Sequence, residues 1–217
     1  LTPIGNPQNL YLFSYYGLSV DSFMRLTMPI CMLSLFLITA LTLTVKGQRI
    51  NIVFDVDAKI TSRKAFASYS VLFLFCLLTV LNVIDYRFTL AVVIAVIFIT
   101  DRSLFKEIDY CLLLTFVAFF VFVGNVGQLQ AVTEIVHGLL EGRELYASAL
   151  ISQVISNVPA AVMLSGFTAD YKALILGTDI GGLGTLIASL ASLISFKIYA
   201  KRRDADKKWY LITFTAI

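Results

Sequence analysis

Charge is scarce in this chain. Of its 217 residues only 14% are Asp, Glu, Lys or Arg, while 59% are hydrophobic; a soluble chain carries about 25% charged residues. Proline (4), cysteine (3) and histidine (1) are scarcer still. So little proline, beside only 12 glycines, excludes collagen-like and low-complexity chains, and the hydrophobic excess excludes intrinsic disorder. Cys31, Cys76 and Cys111 lie far apart in different apolar runs, with no C-x-x-C and no Cys/His spacing. That excludes a disulfide framework and a zinc site. One histidine, His137, leaves neither a haem pair nor a rhomboid-type protease centre. A net charge of +3 is too small to suggest a nucleic-acid partner. What remains is grease spread along the whole length, with a mean hydropathy of +0.86. The composition predicts an all-α polytopic membrane protein whose surroundings are the lipid bilayer.

A spanning helix needs about 20 apolar residues, because the hydrocarbon is about 30 Å thick and a helix rises about 1.5 Å per residue. The runs 26–45, 65–84, 110–133 and 145–169 carry no charge, 173–196 carries only Asp179, and 88–100 is shorter. Basic residues set the orientation. Segment 46–64 holds Lys46, Arg49, Lys59, Arg63 and Lys64, and 197–208 holds six cations from Lys197 to Lys208. Segment 134–144 is acidic, with Glu134, Glu141 and Glu144. The excess of Lys and Arg on the cytoplasmic side puts the first two inside and the third outside. Crossings counted from 46–64 agree with all three clusters only if one of 145–169 and 173–196 turns back. The first contains Ser156-Asn157-Val158-Pro159, and a proline there removes a helix hydrogen bond and crowds the preceding turn. A re-entrant hairpin over 145–169 is therefore expected, its tip near Ser156–Pro159.

Span 173–196 carries Gly177-Thr178-Asp179-Ile180-Gly181-Gly182-Leu183-Gly184-Thr185. Each glycine weakens a helix by about 1 kcal/mol relative to alanine, and an acid at membrane depth faces protein or water. The pattern predicts a broken helix whose carbonyls, Thr178 and Thr185 hydroxyls and Asp179 carboxylate serve a cation or a proton. Thr2-Pro3-Ile4-Gly5-Asn6 and the residues after it, set against Thr185 onward, repeat Thr, Ile and Leu in register. Two broken helices of opposite direction are what inverted repeats produce.

These motifs, in order, resemble the ion-transporter superfamily of arsenite permeases, NhaD-type sodium/proton antiporters and citrate or dicarboxylate carriers. Thr2 through Asn9 is similar to the end of its first broken helix, Ser156-Asn157-Val158-Pro159 to its second hairpin tip, and Gly177 through Leu193 to its second broken helix. The resemblance implies two inverted halves meeting at a midplane site, commonly in a homodimer. The fold expected is the C-terminal part of an inverted-repeat secondary transporter, with a re-entrant hairpin and a broken helix. Residues 1–45 would end the first repeat, 46–64 form a cytoplasmic linker and 65–217 the second repeat. The missing N-terminal half would lie upstream, at about 120 residues if the repeats match in length. Val158 stands where dicarboxylate carriers typically have threonine, which brings the tip nearer the arsenite-permease branch.

The function expected is secondary active transport of a small ion, an anion such as arsenite, citrate or another oxyanion or carboxylate, coupled to protons or sodium, across the plasma membrane. Ser156, Asn157, Thr178, Asp179, Gly181, Gly182 and Thr185 would line the site, faced by Thr2, Gly5 and Asn6. No metal is expected beyond sodium at Asp179 and Thr178, no other cofactor, and no enzymatic activity. A sodium/proton antiporter is the alternative within the class, and a passive channel the alternative outside it.

Overall fold

The structure is a computed structural model that describes residues 2–44, 62–126, 128–202 and 205–216. Most of the expected linker 46–64 lies outside the described residues. Among those described, the chain is helical without strands: α1 (Pro7–Tyr15), α2 (Val20–Thr44), α3 (Arg63–Val80), α4 (Tyr86–Thr100), α5 (Leu104–Glu107), α6 (Tyr110–Val126), α7 (Gln130–Leu140), α8 (Glu144–Ile155), α9 (Asn157–Ser165), α10 (Tyr171–Gly181), α11 (Leu190–Ala200) and α12 (Lys207–Ala216). Helices α2 and α3 are each long and apolar enough to cross a membrane.

Charge patterning explains several boundaries. Helix α2 begins six residues before the uncharged run at Leu26, because Arg25 reaches back one turn to Asp21 at 2.9 Å. The Ser62 hydroxyl accepts from Ala65 N and caps α3. That helix stops at Val80, where Asn82 takes a φ of 57°, and Asp85 caps α4 by accepting from Arg87 N at 2.7 Å.

The expected single run 110–133 is instead two helices, α6 and α7, bent by 98°. The acidic segment 134–144, expected as a loop, is helical as far as Leu140. Val132, Val136 and Leu140 recur every fourth residue, so one helical face is apolar while Glu134 and Glu141 lie off it; Val136 and Leu140 are buried.

Two compact units divide the chain, one of residues 1–28 and 111–217, the other of residues 29–110. In the second, α3 and α4 pair through the Thr79 and Thr89 hydroxyls, 2.6 Å apart. Leu72 is buried there, while many of its large apolar side chains are exposed, Phe36 at 69% and Leu43 at 81%. Surfaces this apolar mark contact with lipid or protein. The first unit holds the core, with Leu12, Phe23, Leu164, Leu174 and Ile175 fully buried.

That core forms around a helical hairpin. Leu145 and Ser148 of α8 abut Gly177 of α10, and Ala149 and Ser152 abut Gly181, so α8 and α10 run parallel. A Cβ on Gly181 would come 2.6 Å from the Ala149 carbonyl oxygen. Small residues at this spacing let two backbones approach closely in a membrane. Helix α9 returns: Asn157 lies against Gly182, whereas Ser165, at its far end, bonds the Tyr11 hydroxyl at 3.0 Å. Tyr16 completes the base by donating to the Thr168 carbonyl at 2.8 Å while its ring meets that of Tyr171. Glu144 and Thr168, before and after the hairpin, line one cavity at that base.

Candidate functional site

The hairpin turns within a single residue. Ser156 ends α8 and starts α9 with φ +76° and ψ 150°, a backbone region that costs a non-glycine residue about 1–3 kcal/mol. It is held by the broken helix. Asn157 N donates to the Ala188 carbonyl at 2.9 Å, and the Ser156 hydroxyl reaches the same oxygen at 3.3 Å.

The break runs from Gly182 to Ser189, later than the glycine pattern suggested, so Gly177, Thr178 and Asp179 remain in the last turns of α10. Unwinding at membrane depth strands backbone groups that must find other partners. Gln153 supplies them. Its Nε2 donates to the carbonyls of Gly181 at 2.7 Å and Leu183 at 2.9 Å, and its Oε1 accepts from Thr185 N at 2.9 Å. The Thr185 hydroxyl donates to the Gln153 backbone carbonyl at 3.1 Å. Hairpin and broken helix are thus stitched together by one amide.

The opening residues repeat this geometry. Gly5 N donates to Thr2 O at 2.9 Å, and Ala188 N to Thr185 O at 3.2 Å. Asn6 and Ser189, which follow these turns, have nearly identical backbones (φ −150°, ψ 157° and φ −146°, ψ 147°), and α1 and α11 start immediately after them. The register is the one in which Thr2 matches Thr185.

Asp179 lies where α1 meets α10. Gln8 Nε2 donates to its Oδ1 at 3.3 Å and Asn9 Nδ2 to its Oδ2 at 3.1 Å. Both amides are 1% exposed, and the Asp179 carboxylate is partly buried. Because Tyr16 sits by Tyr171 and Gln8 by Asp179, α1 runs antiparallel to α10. Its first turn therefore points at the carboxylate.

Three helix starts border one cavity of about 240 Å³ with almost wholly apolar walls: Pro7 of α1, Ser156 and Pro159 of the hairpin tip, and Ser189 and Leu190 at α11 all line it. Each helix N-terminus carries roughly half a positive charge on backbone N–H groups without intrahelical partners. No side chain caps α1 or α9, whereas Ser189 caps α11 and Asn157 N at the start of α9 already donates to the Ala188 carbonyl. Facing them, α6 contributes Thr115 and Phe119.

Of the residues expected at the site, Ser156 and Asn157 lie at the tip, Asp179 at the α1–α10 contact, and Thr185 in the break. A Cβ on Gly182 would sit 2.6 Å from Asn157 Nδ2, so this glycine makes room for the tip; Gly181 serves the α8 contact. Thr2, Gly5 and Asn6 form the turn before α1. Thr178 is fully buried and its hydroxyl donates to the Leu174 and Ile175 carbonyls of its own helix. Gln8, Asn9 and Gln153 were not singled out. Gln8 and Asn9 had a signal, two amides in a first helical turn after a proline; Gln153 had only its place before the Asn-x-Pro break.

An uncharacterized transporter of Methanocaldococcus jannaschii is 32% identical over 203 residues, 91% of this chain and 54% of its own length. The inner membrane protein YbiR of Escherichia coli is 31% identical over 210 residues, 94% of this chain and 55% of its own. The chain thus spans about half the length of these relatives. No solved structure matches. The family model described as citrate transporter matches residues 1–191, and the chain belongs to that citrate transporter family.

Proposed function

We propose that the protein is a multi-pass secondary active transporter of the plasma membrane that carries a small anion, an oxyanion or a carboxylate such as citrate, and couples its movement to protons or sodium at Asp179. The observation that carries this reading is the convergence of three helix N-termini on one apolar-walled cavity, one of which, α1, also holds the Asp179 carboxylate through its first turn. Helix N-termini bind anions through oriented N–H groups and the positive dipole end. A negative substrate brought near a negative carboxylate is repelled unless a cation or proton neutralises the latter, and that is a physical basis for coupling. The α8–α9 hairpin would enter and leave the membrane on the outer face, with α10 and α11 as the two parts of a broken spanning helix. The matched turns at Thr2 and Thr185 support inverted repeats, the second of them over 65–217, with the other half of the site supplied upstream. A homodimer would be the assembly.

The test is flux through the full-length protein in proteoliposomes. Saturable, gradient-driven uptake of an anion is expected, and Asp179→Asn should fold yet lower the coupled rate by about 100-fold or more, since the neutral amide can neither take up a proton nor supply the charge that offsets a cation's cost of about 2.5–3.5 kcal/mol at this depth. Unchanged coupled flux in Asp179→Asn would contradict the reading. Exchange of sodium for protons without any anion would favour an antiporter, and high uncoupled conductance a channel.

A further inference from the structure

The amides that hold Asp179 are only half used. Each donates its NH₂ group to one carboxylate oxygen, whereas their carbonyl oxygens, Gln8 Oε1 and Asn9 Oδ1, are buried with no hydrogen-bond partner. Buried polar atoms are paired in the great majority of cases, and an unpaired one is a cost that calls for a cause. Turning the amides over does not remove the problem, because each oxygen would then face a carboxylate oxygen. Two acceptors and one carboxylate thus lie together among buried groups, and the two side-chain partners of the acid are neutral.

We infer that Gln8 Oε1, Asn9 Oδ1 and the Asp179 carboxylate bind a monovalent hard cation, sodium, with the two amides rotating to present oxygen in place of NH₂. The inference rests on the proposed role of Asp179 as the coupling group and decides between its two candidate ions. A proton on Asp179 provides a single O–H donor and can satisfy one of the two orphan oxygens. A sodium ion accepts several oxygen ligands at once, satisfies both, and cancels the carboxylate charge. It needs no donor from the protein; rotation releases the two NH₂ groups from Asp179, and that of Asn9 from Asn6 Oδ1 at 3.5 Å, to take up other partners. Thr178, expected from sequence as a sodium ligand, donates its hydroxyl proton to the Leu174 and Ile175 carbonyls of its own helix, which leaves its oxygen lone pairs able to accept. Because the ligands come from α1 and α10, ion binding would tie the first turn of α1, and with it one of the three N-termini at the anion cavity, to the broken helix.

The experiment is thermal unfolding of the full-length protein in detergent, titrated with sodium chloride against choline chloride at constant ionic strength. Wild type should show a saturable rise in Tm specific to sodium. Gln8→Leu and Asn9→Leu should each weaken the apparent sodium affinity by about tenfold or more, as loss of one hydrogen-bonding partner to a charge does, and Asp179→Asn should abolish the response. Gln8→Glu and Asn9→Asp, which keep an oxygen at each position, should retain it. No sodium-specific shift in wild type, or an unchanged sodium midpoint in both leucine variants, would overturn the inference. Should the leucine variants not fold, binding of radioactive sodium to wild type decides: saturable binding lost in Asp179→Asn supports the site, and its absence in wild type overturns it. In the flux assay a sodium-insensitive wild type that still loses coupled transport in Asp179→Asn would leave the anion-carrier reading standing with a proton as its ion. Normal transport by Asp179→Asn would instead remove that reading itself.

Discussion

The two turns that begin at Thr2 and Thr185 share a backbone and differ in what they hold. Each closes with an i to i+3 hydrogen bond, is followed by an extended capping residue and launches a helix. After the first come Gln8 and Asn9, which reach Asp179. The matching positions after the second are Ala191 and Ser192, where Ser192 N donates to the Ser189 cap. The second turn offers instead the Ala188 carbonyl to the hairpin tip. A common scaffold therefore places two of the three helix starts at the cavity, while side chains confined to the first copy bring in the acid. Backbone geometry repeats where anion binding would use N–H groups, and departs from symmetry where a charge must be neutralised.

That comparison can be broken by substitution. The largest effect among three substitutions is expected at Gly181, whose Cβ would press on the Ala149 backbone rather than on a movable side chain; Gly181→Ala should destabilise the fold by about 3 kcal/mol, at the upper end for overpacking. A fall in Tm of the purified protein measures it. Next is Gln153→Ala, which leaves the Gly181 and Leu183 carbonyls and Thr185 N without their side-chain partner. Each unsatisfied buried group costs about 1–3 kcal/mol, and water reaching the break would recover part of that, so about 2 kcal/mol is expected, together with faster proteolysis between Gly182 and Ser189. Gly5→Ala should do least. Its Cβ would meet Thr2 O at 3.1 Å, but Ala188 already occupies the equivalent place in the second turn. A change below about 1 kcal/mol in Tm analysis, typical of a tolerated surface-like substitution, would support the match of the two turns; unfolding would break it.

How much of this could be read from sequence follows from the kind of signal each feature leaves. The hairpin was legible because its break is written in chemistry, Asn157 and Pro159 inside a run with no charge. The broken helix was legible from its glycines, although its position was read too early: glycine weakens a helix wherever it stands, while Gly177 and Gly181 turn out to serve packing against α8. Helix α7 was hidden by its own acids, which suggested a loop although Val132, Val136 and Leu140 keep helical spacing. The amide contacts were the least legible. Gln8 meets Asp179 across 171 positions of chain and Gln153 meets Gly181 across 28, and neutral amides in apolar surroundings leave no periodicity to detect.

The central claim is that α8 and α9 form a hairpin that dips into the membrane and returns to the face it came from. Single cysteines at Glu144 and Tyr171 in a full-length, otherwise cysteine-free protein test it most directly, by labelling with a membrane-impermeant maleimide in intact cells. Both positions should label from the outer side at similar rates, as their shared place at the hairpin base requires. Labelling of one from outside and of the other only after the membrane is opened would mean that the segment crosses the bilayer, and would contradict the account.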